Sequence, residues 1–318
     1  MKNLHYIFIM MLCISITATA QNCADIQLKK GQVLTYKREM APMQKKDITY
    51  FKMKKKEQEA ADQQYKDDLA GGKLALTTDQ MISTLEDVET TPDVVRYSFS
   101  SLIKGVAYKT KNICAGPVMI FAPYKDVTEI ITPTRNGEMI TTQINGYNKI
   151  PRVLHVGDTV GSYQNLGVST PQHFETSGWV SHTEKDAFGD TWKISEWKTQ
   201  TIDIASSSVT KYVNREVMAE EDLTINGKTY KAYKINTEIW TKISAKADAS
   251  SVGLALGFAV MNRVINKKTN KAVGANKEGF LVTAINDWFV PALGVMGKTE
   301  VFDQGGNRIA LITLEDIK

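Results

Sequence analysis

The chain has few residues whose types and spacing could do chemistry, and the densest set is His173 with Glu175, followed by His182 with Glu184 and Asp186. Residues two apart in a strand share a face, so each set presents an imidazole beside a carboxylate. A turn near Ser177 and Gly178 would bring the two sets together, where they could ligate zinc or supply a general acid and base. A water-facing sheet surface yields the same residues, so the pattern carries both readings. No pair of carboxylates stands out for hydrolysis. The H-E-x-x-H, G-x-S-x-G and C-x-x-C motifs are absent from the sequence, as is a dinucleotide glycine fingerprint. Gly297-Lys298-Thr299 matches the end of a phosphate loop. The first glycine of such a loop would fall at Ala292, however, and the segment reads as a strand where a helix is needed. No cofactor is implied.

The compartment follows from the first residues and the cysteines. Lys2, an apolar run from Tyr6 to Ile16 and the small residues Ala18-Thr19-Ala20 form an export signal, with the mature chain expected to start at Gln21. The apolar run falls short of the roughly 20 residues that span a bilayer, so no transmembrane segment is expected after its removal. Gln21 and Asn22 stand where a lipoprotein signal needs small residues before Cys23. The location expected is outside the cytoplasm, periplasmic or extracellular. The 39 basic and 35 acidic side chains include Lys2, so the mature net charge is near +3. That balance excludes nucleic acid as a partner on electrostatic grounds. Removing the signal leaves Cys23 and Cys114. In an oxidising compartment they suggest one disulfide, while two buried free thiols are the alternative.

The remaining pattern is that of strands. Gln32 to Met40 alternates, Lys54 to Ala70 is rich in helix formers before Gly71-Gly72, and Met81 to Leu102 forms a hairpin around Thr90-Thr91-Pro92-Asp93. Residues 122 to 172 are broken by proline and glycine into short strands. Beyond them come His173 to Glu184, Thr191 to Ile204, Val209 to Met218 and Leu223 to Ile243, the last turning at Asn226-Gly227. Gly253 to Ile265 is apolar and too short for a span, which suits a buried helix or a lid over a cavity. Ile285 to Ile317 reads as a closing three-strand meander. Trp179, Trp192, Trp197, Trp240 and Trp288 are expected in or beside the core, although tryptophans can also line a carbohydrate groove.

Three pieces resemble the TapB-like family of exported bacterial proteins, related to a wider family of unknown function with a fold like the lipoprotein carriers LolA and LolB. They are the hairpin Met81 to Leu102 with the following KGVAYKTKNICAGPVMI, the segment EEDLTINGKTYKAYKI, and DWFVPALGVMGKTEVFDQGGNRI. Residues 41 to 76 and 244 to 278 depart from that pattern. The resemblance implies a mainly β protein, with curved antiparallel sheets in a half-barrel and one or two short helices. Two lobes are expected, residues 21–150 with a helical insertion near 54–70, and residues 151–318.

The expected function is a non-enzymatic exported protein holding a hydrophobic or lipid-like molecule on a concave sheet face, or meeting a cell-envelope protein. Tyr233, Ile239, Phe258, Val282 and Trp288 are the candidate lining, chosen from strand alternation. A secreted hydrolase or metal-dependent enzyme using His173, Glu175, His182 and Glu184 is one alternative. A surface structural component is another.

Overall fold

The computed structural model describes residues 23–42, 44, 52–92, 94–123, 128–133, 139–169, 172–249 and 275–318. The export signal and the apolar stretch 253–265, with Phe258, lie outside the described residues.

A single turn of 3-10 helix, Cys23–Asp25, precedes β1 (Val33–Met40), and a polar helix α1 (Lys55–Ala70) precedes the hairpin β2 (Thr77–Thr90) and β3 (Val95–Ile103). Next come β4 (Val106–Ala115), β5 (Val118–Pro123), β6 (Thr128–Pro133), β7 (Met139–Asn145), β8 (Asn148–Pro151), β9 (Thr159–Val160) and β10 (Tyr163–Ser169). The long strands β11 (Gln172–Lys185), β12 (Thr191–Ile225) and β13 (Lys228–Ala249) follow, and the chain closes with β14 (Leu281–Val290), β15 (Val295–Phe302) and β16 (Arg308–Ile317). The helix insertion and the closing meander therefore form as their sequences suggest. Helix α1 buries no residue, consistent with its polar composition.

These strands make one antiparallel sheet in the order β6-β7-β10-β12-β13-β14-β15-β16-β1-β2-β3-β4-β5-β8, with β9 and β11 also paired to β12. Strands from the first and last parts of the chain share it, since β1 pairs with both β16 and β2. β7 lies near one end of this order and β8 at the other, yet only Gly146 and Tyr147 separate them in the chain. Three Cα steps reach about 11 Å at most, so the sheet must curve until its ends nearly meet. The body is thus a mainly β, nearly closed, barrel-like shape. Gly146 makes the seam: its φ is 126°, and a Cβ there would lie 2.3 Å from Asn165 Oδ1 and 2.5 Å from the Gln164 carbonyl oxygen.

Residues 191–225, expected as separate strands, form a single strand β12. Ala205–Ser208 has little strand propensity, but it pairs in register with Ile243–Lys246, and the hydroxyls of Ser207 and Ser244 lie 2.8 Å apart. Bulges between Val213 and Glu216 and between Val217 and Ala219 absorb the irregularities downstream. The described part of β13 reaches Ile202, so among the described residues 191–201 of β12 pair with β11 alone. A two-stranded ribbon results. It carries three of the five tryptophans on its surface, with Trp179 69%, Trp192 61% and Trp197 61% exposed. The expectation that these residues belong to the core is overturned by that exposure, and among the described residues no further strand pairs with this part of β12. Only Trp288 is buried among the five.

Inside the barrel, successive inward positions of each strand pass from packed core to a polar layer. Leu85 is followed inward by Ser83 and Met81, Tyr97 by Phe99 and Ser101, Cys114 by Asn112 and Thr110, and Phe289 by Asp287. The first residue of each series belongs to the main hydrophobic cluster, with Leu34, Met119, Ile150, Leu293 and Leu314. Cys23 and Cys114 are bonded, joining the segment before β1 to β4 across a sequence separation of 91. This settles the alternative left open between a bridge and two free thiols. Asp25 adds an ion pair at 3.2 Å to buried Arg152 on the same side of the body.

Candidate functional site

A cavity of about 440 Å³ occupies the barrel where the inward side chains turn polar. Leu34 and Tyr36 of β1, Met81 of β2, Phe99 of β3, Phe121 of β5 and Ile312 of β16 give it an apolar and aromatic wall. Ser83, Ser101, Asn112, Asn148, Asn165 and Thr299 give it a polar one. Its volume falls within the range of small-molecule sites.

Most of the polar wall is satisfied by the protein. The Ser83 and Ser101 hydroxyls pair at 2.8 Å, and the Asn112 amide donates to the Gly294 carbonyl at 3.0 Å. Asn148 and Asn165 differ, because the buried side-chain oxygen of each has no protein donor.

Two charged residues line the cavity, Lys298, whose ammonium is paired with Glu300 at 3.0 Å, and Asp287. β14 and β15 place it directly opposite Thr299, whose hydroxyl donates to Asp287 Oδ1 at 2.5 Å. Among the described residues the other oxygen has no donor, and Asp287 borders the cavity. Burial raises its pKa to about 6, and neither the Thr299 hydrogen bond nor the positive charge of Arg215 offsets that desolvation. Arg215 is 3% exposed and acts on Asp287 through its charge. Its guanidinium donates to the Gly161 carbonyl at 2.6 Å and lies 5.0 Å over the Tyr163 ring. Burial lowers its own pKa. The Tyr163 and Tyr212 rings stack at 4.1 Å, and burial raises both phenol pKa values. A desolvated carboxylate in a cleft is a recognised mark of a functional site.

The candidates drawn from sequence fall elsewhere. By register Tyr233 and Ile239 share the face of Asp287, whereas Val282 and Trp288 lie on the opposite face. None of the four borders the cavity. Trp288 sits between the ammonium groups of Lys234 and Lys298, and its indole N–H donates to Glu221 at 2.7 Å. Alternation identified dry positions without fixing which face closes around a space.

His173 and His182 do not converge either. β11 runs unbroken through Ser177 and Gly178, so nine residues of extended chain put about 30 Å between them. The His182 ring lies 2.9 Å from Glu184 and 3.6 Å from Glu196, through opposite nitrogens. Those carboxylates converge on the imidazole and not on a shared point where an ion could sit. Among the described residues no group of three or more His, Cys, Asp or Glu side chains is arranged to hold a metal.

Lys298 and Thr299 of the phosphate-loop-like triplet lie in β15, where Thr299 serves the Asp287 carboxylate. Reasoning from motifs missed Asp287 itself. The available signal was a carboxylate at an inward position, two residues before buried Phe289.

No family model matches the chain, and no curated protein does. Two solved structures are similar in architecture. One is from Bacteroides fragilis, named "putative exported protein with YmcC-like fold", at 10% identity and a TM-score of 0.40, covering 91% of this chain and 96% of its own. The other is a "putative lipoprotein" from Parabacteroides distasonis, at 12% identity and a TM-score of 0.43, covering 92% and 98%. Likeness of that degree carries no argument about activity.

Proposed function

We propose that this is an exported binding protein that holds a small amphiphilic molecule inside its barrel. The observation that carries the reading is the 440 Å³ cavity, lined by aromatic and apolar side chains together with Asp287. The disulfide Cys23–Cys114 suits the oxidising compartment that an exported chain would enter. The polar layer favours a ligand with its own hydrogen-bonding groups over a bare acyl chain, because buried polar groups left unpaired cost binding energy.

The test is titration with the neutral fluorophore N-phenyl-1-naphthylamine. Saturable binding by the wild type, lost when the cavity is filled by Ser101→Trp, is the expected result. Absence of saturable binding, or equal binding by the folded variant, overturns the reading.

A second reading, contact with a cell-envelope macromolecule, is favoured by the ribbon of β11 and β12. Phe188 at its tip is 94% exposed, and its turn is held by Asp186, which accepts from the backbone N–H of Phe188 and Asp190 and from the Trp192 indole. The tip is thereby stiffened while presenting an aromatic side chain to solvent, as at contact surfaces.

A further inference from the structure

Resting on the cavity reading, we infer that the ligand carries a protonated amine and that this group binds Asp287.

Thr299 occupies one carboxylate oxygen of Asp287, a residue that borders the cavity, and among the described residues the second oxygen has no donor. The buried oxygen of Asn148, a residue 9% exposed, and that of Asn165 also lack donors. Among the residues that line the cavity these unmet groups are acceptors, which select a ligand that donates; the unmet buried donor nearby, Arg215 Nε, is not part of the lining.

Charge narrows the class from any donor to a cation. The groups that face Asp287 are Arg215 and Tyr212 of β12, Tyr163 of β10, and Thr299 of β15. On β13 its register neighbour is the apolar Ile235. Lys298, next to Thr299, directs its ammonium to Glu300 at 3.0 Å and over the Trp288 ring at 4.1 Å, so that charge is already engaged. Lys298 also lines the cavity; Arg215 is the other cation near Asp287, and its hydrogen bond goes to Gly161. Its attraction does not compensate the buried carboxylate, whose pKa stays above the ordinary value. A ligand ammonium at the open oxygen would supply the missing charge and a charge-assisted hydrogen bond together. Phe99, Phe121, Met296 and Ile312 of the same cavity would receive an apolar or aromatic body.

Two probes with the same body test this: 4-phenylbutylamine and 4-phenylbutanol. At about pH 7.5 the amine should bind the wild type at least about tenfold more tightly than the alcohol, the scale of one hydrogen bond to a charged group. Lowering the pH to about 5 protonates Asp287 while the alkylammonium stays charged, and the amine should lose about tenfold in affinity. The alcohol should be unaffected. Asp287→Asn keeps the shape and removes the charge; this variant should bind both probes equally and without pH dependence. Equal binding of amine and alcohol by the wild type, or an amine preference that survives in folded Asp287→Asn, overturns the inference while N-phenyl-1-naphthylamine binding upholds the cavity. Failure of all three molecules to bind overturns both.

Discussion

At the scale of single residues, Asp287 has a thermodynamic cost that should be measurable without a ligand. Its pKa rises from 3.8 to about 6 on folding, so the folded protein retains a proton that the unfolded chain releases. Stability is then greatest below about pH 4, falls as the pH rises toward 6, and is flat above it. The penalty at neutral pH is about 3 kcal/mol, from 1.36 kcal/mol per pKa unit. Asp287→Asn should therefore stabilise the protein at pH 7 by up to about that amount, and remove the fall between pH 4 and 6. Thermal unfolding across that range checks both; a destabilised variant with the pH slope intact would refute the assignment. Gly146 is the second telling residue. Gly146→Ala puts a Cβ into Asn165 and the backbone of β10 at a positive φ, and should cost about 2 kcal/mol or more, measured by denaturant unfolding.

At the scale of elements, the local signals in the sequence were good guides wherever strand and turn chemistry agree. The helix Lys55–Ala70, the hairpin of β2 and β3 and the Asn226-Gly227 turn follow from them. The cavity was hidden for a physical reason. A search for alternating apolar residues discards a strand position occupied by Ser83, Ser101, Asn112 or Asp287, yet those inward polar residues are what make the space a site. Trp179, Trp192 and Trp197 misled in the opposite sense, because their size implies burial while their place on the ribbon of β11 and β12 leaves them exposed. The ribbon's independence leads to its own prediction. No residue between Ser169 and Arg215 is among the buried residues described. Excising 179–197 and joining Gly178 to Lys198 through Asn-Gly should thus shift stability by less than about 1 kcal/mol. It should also leave N-phenyl-1-naphthylamine binding unchanged while abolishing any contact made through Phe188. Loss of cooperative unfolding would show instead that the ribbon belongs to the body.

At the scale of the whole molecule, the question is what keeps a barrel open inside without collapse or splaying. Its sheet is joined across the seam by Gly146 and Tyr147, and its other long-range fastening is the Cys23–Cys114 bond. That bond closes a loop containing β1, α1, β2 and β3, strands that supply one wall of the cavity. With a sequence separation of 91 between the cysteines, the chain-entropy estimate is about 4 to 5 kcal/mol, roughly a third of a typical domain's net stability. Both half-cystines sit in the core cluster, so alanine, which leaves no unpaired hydroxyl, is the suitable replacement. Cys23→Ala with Cys114→Ala should lower the unfolding temperature by about 10 °C, given a few degrees per kcal/mol for a chain of this size. Wild-type protein under strong reductant should fall toward the variant's value, and the variant itself should ignore reductant. Because the cavity wall hangs from the fastened strands, N-phenyl-1-naphthylamine affinity should weaken in the variant well below its unfolding temperature. A variant that unfolds earlier but binds as tightly would show that the bridge secures the chain's beginning and the seam alone holds the cavity.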